Sequence, residues 1–95
     1  MMKLVYLSSA LPDIDWVRHY YRSVFPQGRR KALGQLERVE RLIQENPNIG
    51  KVFGNAREFP IPRTPFSIVY RERSGRIEVV RIWDQRRDPV DLKSF

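Results

Sequence analysis

The sequence contains no cysteine and only one histidine, His19, among its 95 residues. The absence of cysteine excludes a disulfide framework, a thiolate metal site and a cysteine nucleophile. A single histidine excludes a two-histidine metal site and gives no support to a Ser/His/Asp triad. We therefore expect no metal ion and no cofactor, and we expect His19 to be a surface or packing residue of a helix rather than a general base.

Long hydrophobic runs are missing as well. The apolar run within residues 1–7 is too short for a signal peptide, and no stretch approaches the ~18 consecutive apolar residues of a membrane span. The sequence therefore predicts a soluble cytoplasmic protein with no membrane partner. Its length predicts one domain, residues 1–95, with a modest core, so that function is expected in a shallow surface groove.

Lysine is scarce, but positive charge is not. Only four of the 18 lysine and arginine residues are lysines, and 11 acidic residues leave a formal net charge of +7. Arginine offers a planar fork of donors that matches phosphate and carboxylate groups. The arginine bias predicts an acidic partner, either nucleic acid or an acidic protein segment. The alternative is a basic protein whose charge serves only solubility.

The first half of the chain has the pattern of one strand and two helices. Residues 3–7 are predicted to form a strand, and Pro12 and Asp13 suit the start of a helix that ends at Phe25-Pro26. A second helix is predicted from about Gln27 to Glu45, since apolar residues recur there at helical spacing. The short connection between the two helices predicts an antiparallel helical hairpin.

The second half is predicted to be β-structure. Strands are expected at Arg57–Ile61, where the prolines favour a sheet edge, at Phe66–Arg73 and at Arg76–Trp83, with a hairpin turn at Ser74-Gly75. In the last strand, strict alternation puts Val80 and Ile82 on one face and Ile77, Val79, Arg81 and Trp83 on the other. The predicted fold is α+β, in the order βααβββ, with the helical hairpin packed on one face of a small, mainly antiparallel sheet.

Arginine is concentrated in this β-rich half, where aromatic residues are interleaved with it. Residues 57–87 hold eight arginines and four acidic residues. Basic groups with aromatics suit single-stranded nucleic acid, because arginine meets phosphate and rings stack on bases. The ordinary alternative is a half-exposed sheet with alternating arginines and core aromatics. The predicted target- or nucleic-acid-binding residues are Arg57, Arg63, Arg71, Arg81, Trp83, Arg86 and Arg87.

Three stretches of the β-rich half resemble the C-terminal half of RelE/ParE-type toxins, the toxin members of bacterial type II toxin–antitoxin pairs. These stretches are Arg57–Ile61, Phe66–Arg71 and Ile77–Pro89; the Asp13–Tyr21 helix and the Asn46–Gly50 stop fit the same pattern. The resemblance implies a βααβββ fold and a cognate antitoxin that wraps the toxin. It implies one of two targets: ParE-like members inhibit DNA gyrase and are not nucleases, whereas RelE-like members cleave mRNA on the ribosome.

Individual positions favour the ParE-like branch. Arg86 falls where RelE-like ribonucleases carry an arginine, but Ser67 stands where they carry another, and Asp84 stands near the place of a histidine. An aspartate supplies no imidazole and repels phosphate. We predict a growth-inhibiting, ParE-like toxin that is not an enzyme. The alternatives are an mRNA endoribonuclease, with Arg86, Arg63 and Arg81 as its catalytic residues, and a non-toxic basic binding module.

The antitoxin is predicted to be acidic. An acidic, disordered segment would complement the charge of +7 and fold on binding. A small core leaves apolar residues that can hold such a segment. The predicted antitoxin-binding residues are Trp16, Tyr20, Val52 and Phe53.

Overall fold

The protein is an α+β structure in which two helices pack on one face of a five-stranded sheet. The computed structural model describes residues 1–87, so Asp88 and Pro89 of the toxin-like pattern lie outside the described residues. The elements are β1 (Lys3–Tyr6), α1 (Leu11–His19), a π-helical turn (Tyr20–Val24), α2 (Arg29–Glu45), β2 (Lys51–Phe53), β3 (Ala56–Pro60), β4 (Phe66–Arg73) and β5 (Arg76–Asp84). This architecture confirms the predicted fold class.

The sheet has the strand order β1-β5-β4-β3-β2. β1 runs parallel to β5, and the other neighbours are antiparallel. The helices join β1 to the antiparallel part of the sheet and cover one face. Val39 and Ile43 of α2 are fully buried there, against Ile68 and Tyr70 of β4. Burial of this kind contributes about 1.5–3 kcal/mol per large apolar side chain.

Tyr70 also connects the sheet to the segment that follows α2. Its hydroxyl donates to the Pro47 carbonyl at 2.7 Å and accepts from the Gly50 N–H at 2.9 Å. A Cβ at position 50 would lie 2.7 Å from that hydroxyl, so glycine is needed for the close approach. The segment Asn46–Gly50, which ends α2, is therefore fixed by hydrogen bonds to a core residue as well as by its own local conformation.

Two sequence-based expectations about the strands are wrong. β2 was not predicted, because three residues are too few to show a strand pattern. Since β2 pairs with β3, the predicted edge strand around Arg57–Ile61 lies inside the sheet. Pro60 is tolerated because it is the last residue of β3, opposite Ser67.

The residues on each face of β5 also differ from those that strict alternation predicts. The register between β4 and β5 shifts at Val69/Tyr70, where β5 contains an extra residue. This bulge places Ile77, Val79 and Ile82 together in the main core, while Val80 and Trp83 join a smaller cluster. A bulge has no reliable signal in a single sequence, so the alternation rule fails after it. The predicted Ser74-Gly75 turn is confirmed, with φ values of 55° and 74°.

The first helix is shorter than predicted as an α-helix. α1 ends at His19, and the backbone widens into the π-helical turn, in which the Phe25 N–H donates to the Tyr20 carbonyl at 2.9 Å. A 3-10 turn at Pro26–Gly28 then leads into α2, which begins at Arg29 rather than Gln27. We call residues 22–31, from the π-helical turn to the first turn of α2, the hairpin tip.

Candidate functional site

Four of the eight arginines within residues 57–87 are neutralised by carboxylates within the fold. Arg71 and Arg76 both donate to Glu78, each at 2.9 Å, and the carboxyl of Glu78 is nearly buried. The hydrogen bond from Arg71, followed by that from Arg76, lowers the pKa of Glu78. The two-residue turn at Ser74-Gly75 sets this register, since it places Arg71 opposite Glu78.

Arg81 is held by a residue far away in the sequence. Its guanidinium donates two hydrogen bonds to Asp13, at 2.7 and 3.1 Å, and the Ile82 N–H donates to the same carboxylate at 3.0 Å. Asp13 is buried in the first turn of α1. This bidentate pair fixes α1 to β5, and it occupies two of the donors with which Arg81 would meet a phosphate.

Asp84 is the centre of a second cluster, between the end of β5 and α1. Trp16 Nε1 donates to it at 3.1 Å, the Arg86 backbone N–H at 3.0 Å, and the Arg86 guanidinium at 2.7 and 2.9 Å. The hydrogen bond from the Arg86 side chain is the largest influence that lowers the pKa of Asp84, to about 2, although burial opposes it. The same pair raises the pKa of Arg86. Asp84 is therefore an ionised structural residue.

The Asp84 cluster is extended by cation–π contacts. The Arg86 guanidinium lies 4.9 Å from the Tyr20 ring centroid, and Arg87 lies 5.9 and 5.3 Å from the rings of Trp16 and Trp83. Two predicted target-binding arginines and two predicted antitoxin-binding aromatics are thus brought together at α1. The Trp83 ring is almost fully buried, and in this structure it has no open face for a base to stack on.

The remaining arginines that were predicted to bind a target are scattered. Arg57 donates to the Gly50 and Asn48 carbonyls, at 2.9 and 3.3 Å, and so helps to close the segment after α2. Arg63 is exposed between β3 and β4 and adopts a φ of 63°. The structure does not gather Arg57 or Arg63 with Arg86, and their binding roles stay predictions.

The groups that a ribonuclease would need are not assembled among the described residues. Ser67 is fully buried, and its hydroxyl donates to Glu58 at 2.6 Å. His19 is exposed at the end of α1, with its ring 6.4 Å from Trp16. Of the predicted catalytic residues of that alternative, Arg81 is paired with Asp13 and Arg86 with Asp84, whereas Arg63 is exposed between β3 and β4. General acid–base catalysis requires the acid and the base to reach one substrate position.

The predicted antitoxin-binding residues lie in two separate places. Trp16, 47% exposed, and Tyr20 belong to the helical side near β5, where Tyr20 packs edge-on against Phe66 at 5.5 Å. Val52, 63% exposed, and the half-buried Phe53 lie on β2 at the opposite edge of the sheet. One segment would have to cross the molecule to reach both places.

A feature that the sequence analysis missed is a groove between α1 and α2, open to the surface. Its volume is about 800 Å³, and its apolar lining includes Ile14, Val17, Leu33 and Leu36. The charged lining residues are Arg18, Arg22, Arg29, Glu37 and Glu40. Leu33 is the residue from which the groove could have been predicted. It widens the apolar stripe of α2 beyond the part that the core buries, and it is exposed in the structure.

One hydrogen bond crosses the inner part of the groove. The Tyr6 hydroxyl donates to Glu40 at 2.6 Å. Burial, together with the neighbouring Glu40 carboxylate, raises the pKa of Tyr6, so the phenol is protonated and gives no base at neutral pH. The groove therefore offers apolar side chains for contact with a ligand, and Tyr6 supplies no base there.

Other kinds of site receive no support within residues 1–87. No group of three or more histidine, cysteine or acidic side chains there is placed to hold a metal ion. In the same range, no helix is long and apolar enough to cross a membrane.

Comparison with known proteins gives the family. A sequence model described as the ParE toxin of the type II toxin–antitoxin system parDE matches residues 4–89. A solved structure of the chromosomal ParDE toxin–antitoxin system from P. aeruginosa is similar, with 26% identity and a TM-score of 0.66, over 86% of this chain and 94% of that chain. A comparison with curated proteins finds no match. Because the family match spans almost the whole chain and the fold agrees, this chain belongs to the ParE toxin family of type II toxin–antitoxin systems.

Proposed function

We propose that this toxin arrests growth by binding and inhibiting DNA gyrase, and that it is not a ribonuclease. The observation that carries the proposal is the Asp84 cluster. A RelE-like enzyme would use Arg86 to bind the scissile phosphate. Here the Arg86 guanidinium donates hydrogen bonds from Nε and Nη2 to the two carboxylate oxygens of Asp84. A phosphate would have to displace an ionised, buried carboxylate, which repels it.

The states of Asp84 and Ser67 support the same conclusion. Cleavage of RNA requires activation of the 2′-hydroxyl and protonation of the leaving oxygen. Asp84 has a pKa of about 2 and is ionised, so it cannot donate a proton at neutral pH. Ser67 is fully buried and bonded to Glu58. Inhibition through binding needs none of these groups.

The proposal is tested by adding the purified toxin to gyrase and relaxed plasmid. We expect dose-dependent loss of supercoiling, while relaxation by a type I topoisomerase is unaffected. Primer extension on translating ribosomes should show intact mRNA in the same concentration range. Cuts in the A-site codon that disappear in Arg86→Ala but persist in Arg73→Ala, an exposed sheet arginine, would establish the ribonuclease instead.

The partner of a type II toxin is its cognate antitoxin, and we propose that part of an acidic antitoxin lies in the groove between α1 and α2. The groove has apolar lining for the nonpolar face of a helix. Arg18, Arg22 and Arg29 lie along it and can meet acidic side chains. A segment that folds on binding would gain its specificity from such apolar contacts at helical spacing.

Two leucines with equal exposure, 55%, give a matched test of the groove. Leu33 lines it, whereas Leu11 begins α1 outside it. We expect Leu33→Asp to weaken antitoxin binding at least about tenfold, because an unpaired carboxylate would be buried against the apolar face of the partner. Leu11→Asp should bind normally. Equal affinities of the two variants in calorimetric titration would contradict the groove as the antitoxin site.

A further inference from the structure

The hairpin tip carries a concentration of positive charge that the fold leaves unneutralised. Residues 16–36, which include the tip, contain no aspartate or glutamate; the tip has four cations, Arg22, Arg29, Arg30 and Lys31, and Arg18 lies one helical turn before it. All five side chains are exposed. Among the described residues 1–87, the structure gives none of them an ion pair or a hydrogen bond from its side chain.

Half of the eight arginines within residues 57–87 differ in this respect. Arg71, Arg76, Arg81 and Arg86 each pair with a carboxylate at 2.7 to 2.9 Å. A paired arginine presents little net charge to a partner, and its release costs the energy of the existing pair. The positive field of the described part of the protein is therefore stronger at the hairpin tip than the arginine count of the sheet suggests.

Apolar side chains accompany the cations at the tip. Val24 is 62% exposed and Phe25 is 41% exposed. Val24 is the last residue of the π-helical turn, and Phe25 follows it with a non-helical backbone, at φ −141° and ψ 64°. The Phe25 ring packs against Gly28, so closely that a Cβ at position 28 would overlap with the ring.

We propose that the hairpin tip is the surface with which the toxin binds its target, and that it meets an acidic, partly apolar face of a folded protein. This inference rests on gyrase inhibition as the proposed function. Exposed arginines beside an aromatic and an aliphatic side chain are typical of protein interfaces, in which apolar contacts lie among charged ones. A protein target fits better than free nucleic acid, because Val24 neither stacks on a base nor bonds to a phosphate.

The tip is distinct from the proposed antitoxin groove but touches it. Arg22 and Arg29 belong to the tip and also line the groove, whereas Arg30 and Lys31 do not line it. An antitoxin in the groove would cover part of the tip and so block the target. Arg30 and Lys31 are accordingly the residues at which target binding can be weakened while the groove stays intact.

The test compares two double charge reversals on α2. The tip variant is Arg30→Glu/Lys31→Glu, and the control is Arg38→Glu/Arg41→Glu, which changes the same charge at exposed positions farther along the helix. Glutamate suits the first turn of a helix, so the tip variant should fold. We expect the tip variant to lose about tenfold or more in potency against gyrase supercoiling and in growth arrest, and the control to lose about threefold or less.

A second pair tests the apolar contribution. Val24→Ser and Val52→Ser remove the same side chain at 62% and 63% exposure, at the tip and on β2 respectively. Only Val24→Ser should lower the potency. If both charge reversals, or both valine changes, reduce potency equally, the tip has no special role and the inference is overturned.

The outcomes separate this inference from the proposed function. A wild-type toxin that arrests growth without affecting supercoiling would overturn gyrase as the target, but growth arrest lost only in the tip variants would still support the tip. A wild-type chain that neither arrests growth nor inhibits supercoiling would overturn both gyrase inhibition and the role of the tip. Loss of affinity of the tip variant for a DNA duplex alone, equal to its loss of potency, would assign the tip to nucleic acid and overturn the protein target.

Discussion

Asp84 is the residue whose role the structure changes most. At the sequence level its carboxylate stands near the place of a catalytic histidine, and it weighed against a ribonuclease. In the fold it binds Trp16 and both the backbone and the side chain of Arg86. It thereby ties the end of β5 to α1. A residue that seems unsuited to catalysis is thus explained by the structural bonds it makes.

Replacing Asp84 by asparagine keeps the shape and removes the charge. We expect Asp84→Asn to lower the free energy of unfolding at pH 7 by about 1–2 kcal/mol, a modest value because the Arg86 side chain is half exposed. Asp15→Asn, an exposed carboxylate of α1, should have little effect. Urea unfolding of both variants measures the difference; equal stability of Asp84→Asn and the wild type would contradict it.

The same variant predicts a pH dependence. The folded-state pKa of Asp84, about 2, lies below the ordinary aspartate value of 3.8, so its contribution to stability is complete above about pH 5 and is lost as the pH falls toward 2. The wild type and Asp84→Asn should therefore converge in stability over this window, while Asp15→Asn should follow the wild type. If the difference in unfolding free energy between the wild type and Asp84→Asn stayed constant from pH 5 to about 2, ionisation of the Asp84 carboxylate would not be the cause of that difference.

The connection between the helices is the element with the most unusual backbone. The π-helical turn, the Phe25–Gly28 contact and the 3-10 turn follow one another within a few residues. Gly28 is needed for space and not for its backbone, since its φ is −90°. The sequence showed Pro26 and Gly28 as an ordinary helix break.

Two glycine-to-alanine changes should have opposite effects. Gly28→Ala should destabilise the fold by about 1 kcal/mol and displace the Phe25 ring, because the new methyl group needs the space of the ring. Gly34→Ala, in the middle of α2 with open space around it, should stabilise by about 0.5–1 kcal/mol. Chemical unfolding gives the signs, and aromatic NMR shifts report the position of Phe25. Stabilisation by both substitutions would contradict the packing at Gly28.

At the scale of the whole molecule, charge and apolar surface are divided among different regions. Residues 57–87 use half of their eight arginines in internal ion pairs, the groove combines apolar lining with arginines, and the hairpin tip presents cations without an ion pair among the described residues. A net charge of +7 alone does not reveal this division. The two proposed binding regions share Arg22 and Arg29, which gives the antitoxin a direct way to hinder target binding.

The sequence by itself determined the family, the fold class and most elements. Strand alternation, the helical stripe of α2 and the Ser74-Gly75 turn are local patterns, and local patterns can be read along a chain. One ion pair could also be predicted from the sequence, because a two-residue turn at Ser74-Gly75 places Arg71 opposite Glu78. The bulge in β5 and the strand β2 were not, since each depends on pairing with a neighbouring strand.

Only the tertiary structure decided which cations are available to a partner. Arg81 is neutralised by Asp13 and Asp84 is bound by Trp16, and each of these contacts joins residues 68 positions apart. Whether a charge is exposed or paired depends on what the fold brings beside it, and the separation along the chain does not indicate this. For that reason the arginine-rich sheet was the natural prediction, and the hairpin tip emerged only from the folded molecule.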